Sequence, residues 1–123
     1  MASVARVLVV EDDPAVAKVL ELALKREGFW PHLARDYALA LAALGEDWDA
    51  ILLDLNLPGG FGLDLLRHLR QTLGKATPVL VLSGLKQEHH VLEALRAGAQ
   101  DYLTKPFSPK ELILRLGRHV AVR

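Results

Sequence analysis

Three stretches of the chain are apolar without a break. Val7-Leu8-Val9-Val10, Ala50-Ile51-Leu52-Leu53 and Val79-Leu80-Val81-Leu82 lack the polar alternation of a strand with one wet face. Such runs predict central strands of a parallel sheet covered on both sides. Two weaker segments, residues 29–34 and 100–103, predict short flanking strands, and Pro31 suits the first to a sheet edge. Between the strands the spacing becomes helical. Val16, Val19, Leu20 and Leu24, with Ala23, predict a first helix that Asp13 caps, Pro14 opens and Gly28 ends. Asp36 caps a second, with Ala38, Leu41, Ala42 and Leu44 on its apolar side and Gly45 as its stop. A third turns Leu63, Leu66, Leu69 and Leu73 inward and leaves Arg67, His68 and Arg70 to solvent. Val91, Leu92, Ala94 and Leu95 define a fourth that stops at Gly98. Ser108 caps the last, with Pro109 at its first position and Leu112, Ile113, Leu116 and Val120 as core contacts.

Five alternations of strand and helix predict an α/β fold with right-handed crossovers and a parallel sheet between helical layers. Ligands of such sheets bind outside the carboxyl ends of the strands. The polar residues at those ends are Glu11 and Asp12, Asp54, Ser83 and Lys105. Four of the five strands therefore bring a reactive or charged side chain to one edge. Asp54 ends the central run, and the loop behind it, residues 55–62, is dense in proline and glycine. Taken alone, Asp54 also suits a plain turn cap. The company at the edge favours chemistry.

Glu11, Asp12 and Asp54 gather three carboxylates, whose mutual repulsion calls for a cation. The donors are all oxygen, which selects Mg²⁺. The histidines are poorly spaced for a metal: His89 and His90 diverge on a helix, and His32, His68 and His119 are scattered, so they read as surface residues. Asp13 reads mainly as a helix cap, with a water-mediated metal contact as its other possible role. Lys105 adds a compact positive charge and Ser83 a hydroxyl, a combination suited to a phosphoryl group, whose transfer depends on positioning and charge neutralisation. A carboxylate can itself be the nucleophile, and Asp54 is the candidate.

Composition narrows the field. At 123 residues the chain has the size of one domain, residues 1–123. Lys and Arg total 15 against 15 Asp and Glu, which argues against direct nucleic-acid binding. No cysteine is present, so disulfides and thiolate metal sites are excluded. No apolar run approaches the ~20 residues of a membrane span, and no signal peptide opens the chain, so a cytoplasmic setting is expected.

Glu11-Asp12, Asp54 with Pro58 and Gly59 behind it, Ser83, and the run Asp101-Tyr102-Leu103-Thr104-Lys105-Pro106-Phe107 resemble the receiver domain of bacterial two-component response regulators. The similarity covers essentially the whole chain. It implies a flavodoxin-like (βα)5 three-layer sandwich with strand order 2-1-3-4-5. It also implies that Asp54 accepts a phosphoryl group from the phosphohistidine of a sensor histidine kinase or a phosphotransfer protein. Mg²⁺ would be bound by Asp12, Asp54 and the main-chain carbonyl of Asn56, with Glu11 acting through water. Lys105 and Ser83 would contact the phosphoryl oxygens, and the Lys105–Pro106 peptide would be cis. Ser83 and Tyr102 match a hydroxyl-and-aromatic pair whose inward movement reports phosphorylation to the face of helix four, strand five and helix five. Such a domain is not an enzyme in the ordinary sense, but a phosphoacceptor that assists its own phosphorylation and dephosphorylation.

Residues 105–112 resemble receivers that precede winged-helix DNA-binding domains and dimerise through that face by charged pairs. Asp101, Glu111 and Arg115 are present for such pairs, whereas Val91 and Gln100 stand where charge is usual. Gly84 replaces the usual alanine after the switch hydroxyl. Phe61 replaces a polar residue before Gly62 and reads equally as a partner contact or a packed loop residue. Three rivals compete. An aspartyl-phosphate phosphatase needs a second aspartate where Asn56 stands. A non-phosphorylated pseudo-receiver would be expected to lack one of Asp12, Asp54 or Lys105. A flavin carrier needs a hydroxyl-rich phosphate loop where Glu11-Asp12-Asp13 lies. The chain is expected to be either a free-standing receiver or the front of a longer regulator.

Overall fold

The computed structural model describes residues 4–85 and 88–120. The strands of its main sheet are β1 (Arg6–Val10), β2 (Trp30–Ala34), β3 (Ala50–Asp54), β4 (Val79–Ser83) and β5 (Asp101–Thr104), all parallel, in the order β2-β1-β3-β4-β5. The helices are α1 (Pro14–Arg26), α2 (Tyr37–Ala43), α3 (Gly62–Arg67), α4 (Glu88–Arg96) and α5 (Pro109–Leu116). This is the expected flavodoxin-like arrangement.

The unbroken apolar runs serve both faces of the sheet. Leu8, Val10, Ile51, Leu53, Val79 and Val81 join the core beneath α2, α3 and α4. Their neighbours Val7, Val9, Ala50, Leu52, Leu80 and Leu82 join the core beneath α1 and α5. Successive strand residues point to opposite sides, so a strand buried on both can carry no polar position until it ends. Pro31 lies on the edge strand β2, where its missing N–H costs no ladder bond.

Several helix faces differ from expectation. In α2 the buried residues are Ala40 and Ala43, followed by buried Leu44, whereas Ala38, Leu41 and Ala42 are exposed. That helix is apolar on nearly every side, so its pattern singles out no face. Val19 of α1 and Leu92 and Leu95 of α4 are also exposed, and Ala94 is the buried residue of α4. After Arg67 the third helix continues as a π-helical stretch, His68–Thr72, which breaks the 3.6-residue spacing. Arg70 is accordingly not free: it donates to the carbonyls of Gly98 (2.8 Å) and Lys75 (2.8 Å) and to Gln100 Oε1 (3.0 Å). It ties α3 to the turn between α4 and β5.

Candidate functional site

The carboxyl ends of β1, β3, β4 and β5 converge as the register requires, with Val10 beside Leu53, Asp54 beside Leu82 and Ser83 beside Thr104. Asp54 closes β3 as a buried carboxylate. Glu11, immediately after β1, is buried as well, and its main-chain N–H donates to the Ala34 carbonyl at 3.1 Å. Asp12 follows it into solvent. Carboxylate oxygens of Glu11, Asp12 and Asp54 lie within 4.8 Å of one another. Asp13 is the cap of α1, accepting from the N–H groups of Ala15 (2.9 Å) and Val16 (3.4 Å).

Lys105 enters from the end of β5. Its main-chain N–H donates to the Ser83 carbonyl at 2.8 Å, and its ammonium donates to Glu11 Oε1 (2.6 Å) and Asp54 Oδ2 (3.3 Å). The Lys105–Pro106 peptide is cis. Burial, reinforced by the hydrogen bond and charge of Asp54, pushes the Glu11 carboxyl up to about 8 against the opposing pull of Lys105. For Lys105, burial alone would lower the ammonium. The Glu11 hydrogen bond and the charges of both carboxylates outweigh it and raise the lysine above its ordinary value. One cation thus serves two buried carboxylates, and one of these holds its proton readily.

The site suits a hard divalent cation on its own geometry. Glu11 Oε2 is buried without a hydrogen-bond partner, and the three clustered carboxylates offer only oxygen. An orphaned buried carboxylate oxygen is costly, and a bound ion or its water would satisfy it.

Around this centre the loops are tightly held. The Asn56 N–H donates to Asp54 Oδ1 at 3.1 Å and aims that carboxylate. Residues Asn56–Leu57 pair antiparallel with Gly60–Phe61, so the loop after β3 is a miniature hairpin rather than an open turn. Gly62 opens α3 with its N–H on the Leu55 carbonyl at 2.7 Å; a Cβ there would run into the main-chain oxygen of Asp54. Phe61 is partly exposed beside Asp54's loop and caps nothing with its side chain.

Ser83 is fully buried, and its Oγ accepts the Leu85 N–H at 3.1 Å. The Tyr102 hydroxyl donates to the Leu85 carbonyl at 2.6 Å. The hydroxyl and the aromatic are thus joined through the main chain of one residue, Leu85. Sequence reasoning missed Leu85, because only its main chain takes part and no side-chain signal marks it.

The fold and the site define a flavodoxin-like α/β domain with an acidic, lysine-countered centre at the carboxyl edge of its sheet. Residues 7–117 match the response regulator receiver domain, and the chain belongs to that family. It is 43% identical over 113 residues to the phosphate regulon transcriptional regulatory protein PhoB of Escherichia coli, which covers 90% of this chain and 49% of that protein. It is 44% identical over 120 residues to the cell cycle transcriptional regulator CtrA of Caulobacter vibrioides, covering 96% of this chain and 50% of that protein. The chain thus spans about half the length of the curated relatives it matches. Among solved structures, the Francisella response regulator 1452 receiver domain superimposes with a TM-score of 0.88 at 36% identity, covering 93% of this chain and 94% of that one. The Vibrio cholerae chemotaxis protein CheY4 gives 0.87 at 31%, covering 96% and 100%.

Proposed function

We propose that residues 1–123 form a single receiver domain that takes a phosphoryl group onto Asp54. The donor is a phosphohistidine on a sensor histidine kinase or a phosphotransfer protein in the cytoplasm. The supporting observation is Asp54 itself: a buried carboxylate ending the central strand, 3.3 Å from the Lys105 ammonium and grouped with Glu11 and Asp12. An Asp54 oxygen forms the new bond to phosphorus as the phosphorus–nitrogen bond breaks, and the electron pair leaves with the imidazole. Asp12, Asp54 and the Asn56 main-chain carbonyl would hold Mg²⁺, with Glu11 reaching it through water. When bound, the ion neutralises charge on the transferring group. Lys105 contacts the phosphoryl oxygens and balances the charge that remains.

An apolar groove of about 460 Å³, lined by Ala15, Val16, Val19, Lys105, Pro106 and Phe107, opens beside the site and supports docking of the phosphodonor there. On the output side, a phosphoryl oxygen would accept a hydrogen bond from the Ser83 hydroxyl, which is linked to Tyr102 through Leu85. The response would pass to the face of α4, β5 and α5, where Leu92 and Leu95 are exposed. A homodimer through that face is part of the proposal. Arg115, however, is already paired within the chain with Asp101 at 2.7 Å and Glu111 at 3.6 Å. Control of transcription would belong to a longer protein carrying this domain, as the names of the relatives suggest.

Incubation with Mg²⁺ and acetyl phosphate should add one phosphoryl group by intact mass, and Asp54→Asn should prevent it. Unchanged labelling of Asp54→Asn would overturn the assignment. Failure of the wild type to label at all would favour a pseudo-receiver.

A further inference from the structure

The loop that carries Asn56 is braced from outside by Tyr37, which lies apart from the carboxylate and lysine cluster. Tyr37 is the first residue of α2, and Asp36 fixes that helix end by accepting the Leu39 N–H at 2.8 Å. From there the Tyr37 N–H donates to the Pro58 carbonyl at 3.1 Å. Its ring lies flush on Gly60: a Cβ built there would stand 2.6 Å from Tyr37 Cγ and 2.8 Å from Cε2. Gly60 does not adopt a left-handed backbone, unlike Gly59 with φ of 89°. The ring, and not the backbone, is therefore what forbids a side chain at position 60.

Gly60 is the register partner of Leu57, and Phe61 that of Asn56. Pressure on Gly60 is thereby carried across two residue pairs to Asn56, whose N–H orients Asp54. A two-residue hairpin has little stability of its own and needs packing to keep its shape. Tyr37 supplies that packing, as it lies half-buried against the core beneath α2 and α3. We propose that Tyr37 is a positioning residue for this site. Its ring, seated on Gly60, holds the hairpin so that the Asn56 peptide stays in the geometry that cation binding at Asp12 and Asp54 requires. This rests on the reading of Asn56 and Asp54 given above.

The test is a Mg²⁺ titration followed by amide NMR without any phosphodonor, on wild type, Tyr37→Ala, Tyr37→Phe, Gly60→Ala and the Tyr37→Ala/Gly60→Ala double variant. Tyr37→Ala should raise the Mg²⁺ midpoint by about tenfold, the low end of the scale for a group that acts behind the ligands. Its Asn56 amide should already be shifted before Mg²⁺ is added. Gly60→Ala should reproduce both effects by pushing the ring away, and it carries the test if Tyr37→Ala does not fold. Tyr37→Phe should behave as wild type, because the ring does the bracing. The double variant should be no worse than either single one, since each change breaks the same contact. Unchanged midpoints and an unmoved Asn56 amide in Tyr37→Ala and Gly60→Ala would overturn the proposal, as would a Tyr37→Phe variant as defective as Tyr37→Ala. Labelling of Asp54→Asn would instead overturn the phosphoacceptor reading and would leave these metal midpoints standing.

Discussion

Lys105 stands 2.6 Å from Glu11 and 3.3 Å from Asp54, so the lysine is paired most closely with the carboxylate that follows β1. Among the described residues, Glu11 keeps one side-chain oxygen buried and unpartnered. Its titration should therefore be visible in the stability of the metal-free protein.

Glu11 ionises at 4.5 when unperturbed and at about 8 in the folded chain. Between these values the folded state holds a proton that the unfolded state has released, so raising the pH favours unfolding. The contribution is whole below 4.5 and is lost as pH rises through about 8. Lys105, raised in the same direction, loses its contribution only at still higher pH. In EDTA the urea midpoint should fall between about pH 5 and about pH 8.5, and Glu11→Gln should flatten that slope. An equal slope in Glu11→Gln would assign the effect elsewhere.

Asp12 and Asp13 are adjacent and should part company under mutation. Asp13→Ala removes two hydrogen bonds at the start of α1 and should cost about 1 kcal/mol of stability while leaving phosphorylation largely intact. Asp12→Ala should leave stability nearly unchanged and abolish Mg²⁺-dependent labelling. Urea melts and intact mass on the pair decide this, and a larger labelling defect in Asp13→Ala would reverse the two roles.

Two glycines should respond oppositely to alanine. At Gly62 a Cβ would strike the Asp54 carbonyl and come within 2.8 Å of Leu55 Cα, so Gly62→Ala should destabilise by about 1–3 kcal/mol and slow labelling. At Gly84 a Cβ meets nothing within 4 Å and the backbone is not left-handed. Gly84→Ala should therefore stabilise by about 0.4–1 kcal/mol by restricting the unfolded chain. Thermal or urea midpoints of equal sign for the two would contradict this packing.

Ser83→Ala should remain phosphorylatable while losing the link from the site to Leu85 and Tyr102. Amide NMR with and without beryllofluoride, the phosphoryl mimic, should show smaller shifts over residues 88–97 and 101–115 than in wild type. Shifts as large as wild type's would remove the hydroxyl from the signalling route.

The sequence by itself determined the layered α/β sandwich, the edge where the site lies, the cap of α1 and the identity of the clustered carboxylates and lysine. These are one-dimensional properties. A strand buried on both faces must be apolar from end to end, and a polar residue that ends such a run can only emerge at the rim of the sheet. The tertiary structure decided what depends on neighbours distant in sequence. The face of α2 was chosen by the sheet beneath it, since Ala40 and Ala43 fit that surface while Leu39 and Leu41 remain in water. Arg70 was turned from solvent to Gly98 by a π-helical stretch that no spacing rule announces. The union of Ser83 with Tyr102 runs through the Leu85 main chain, and every residue has a main chain to offer. The seat of Tyr37 on Gly60 joins residues 23 positions apart whose contact exists only once β2 and β3 lie on either side of β1. Periodicity records which residues must avoid water. It carries no record of which neighbour each will meet there, and that choice is made by packing.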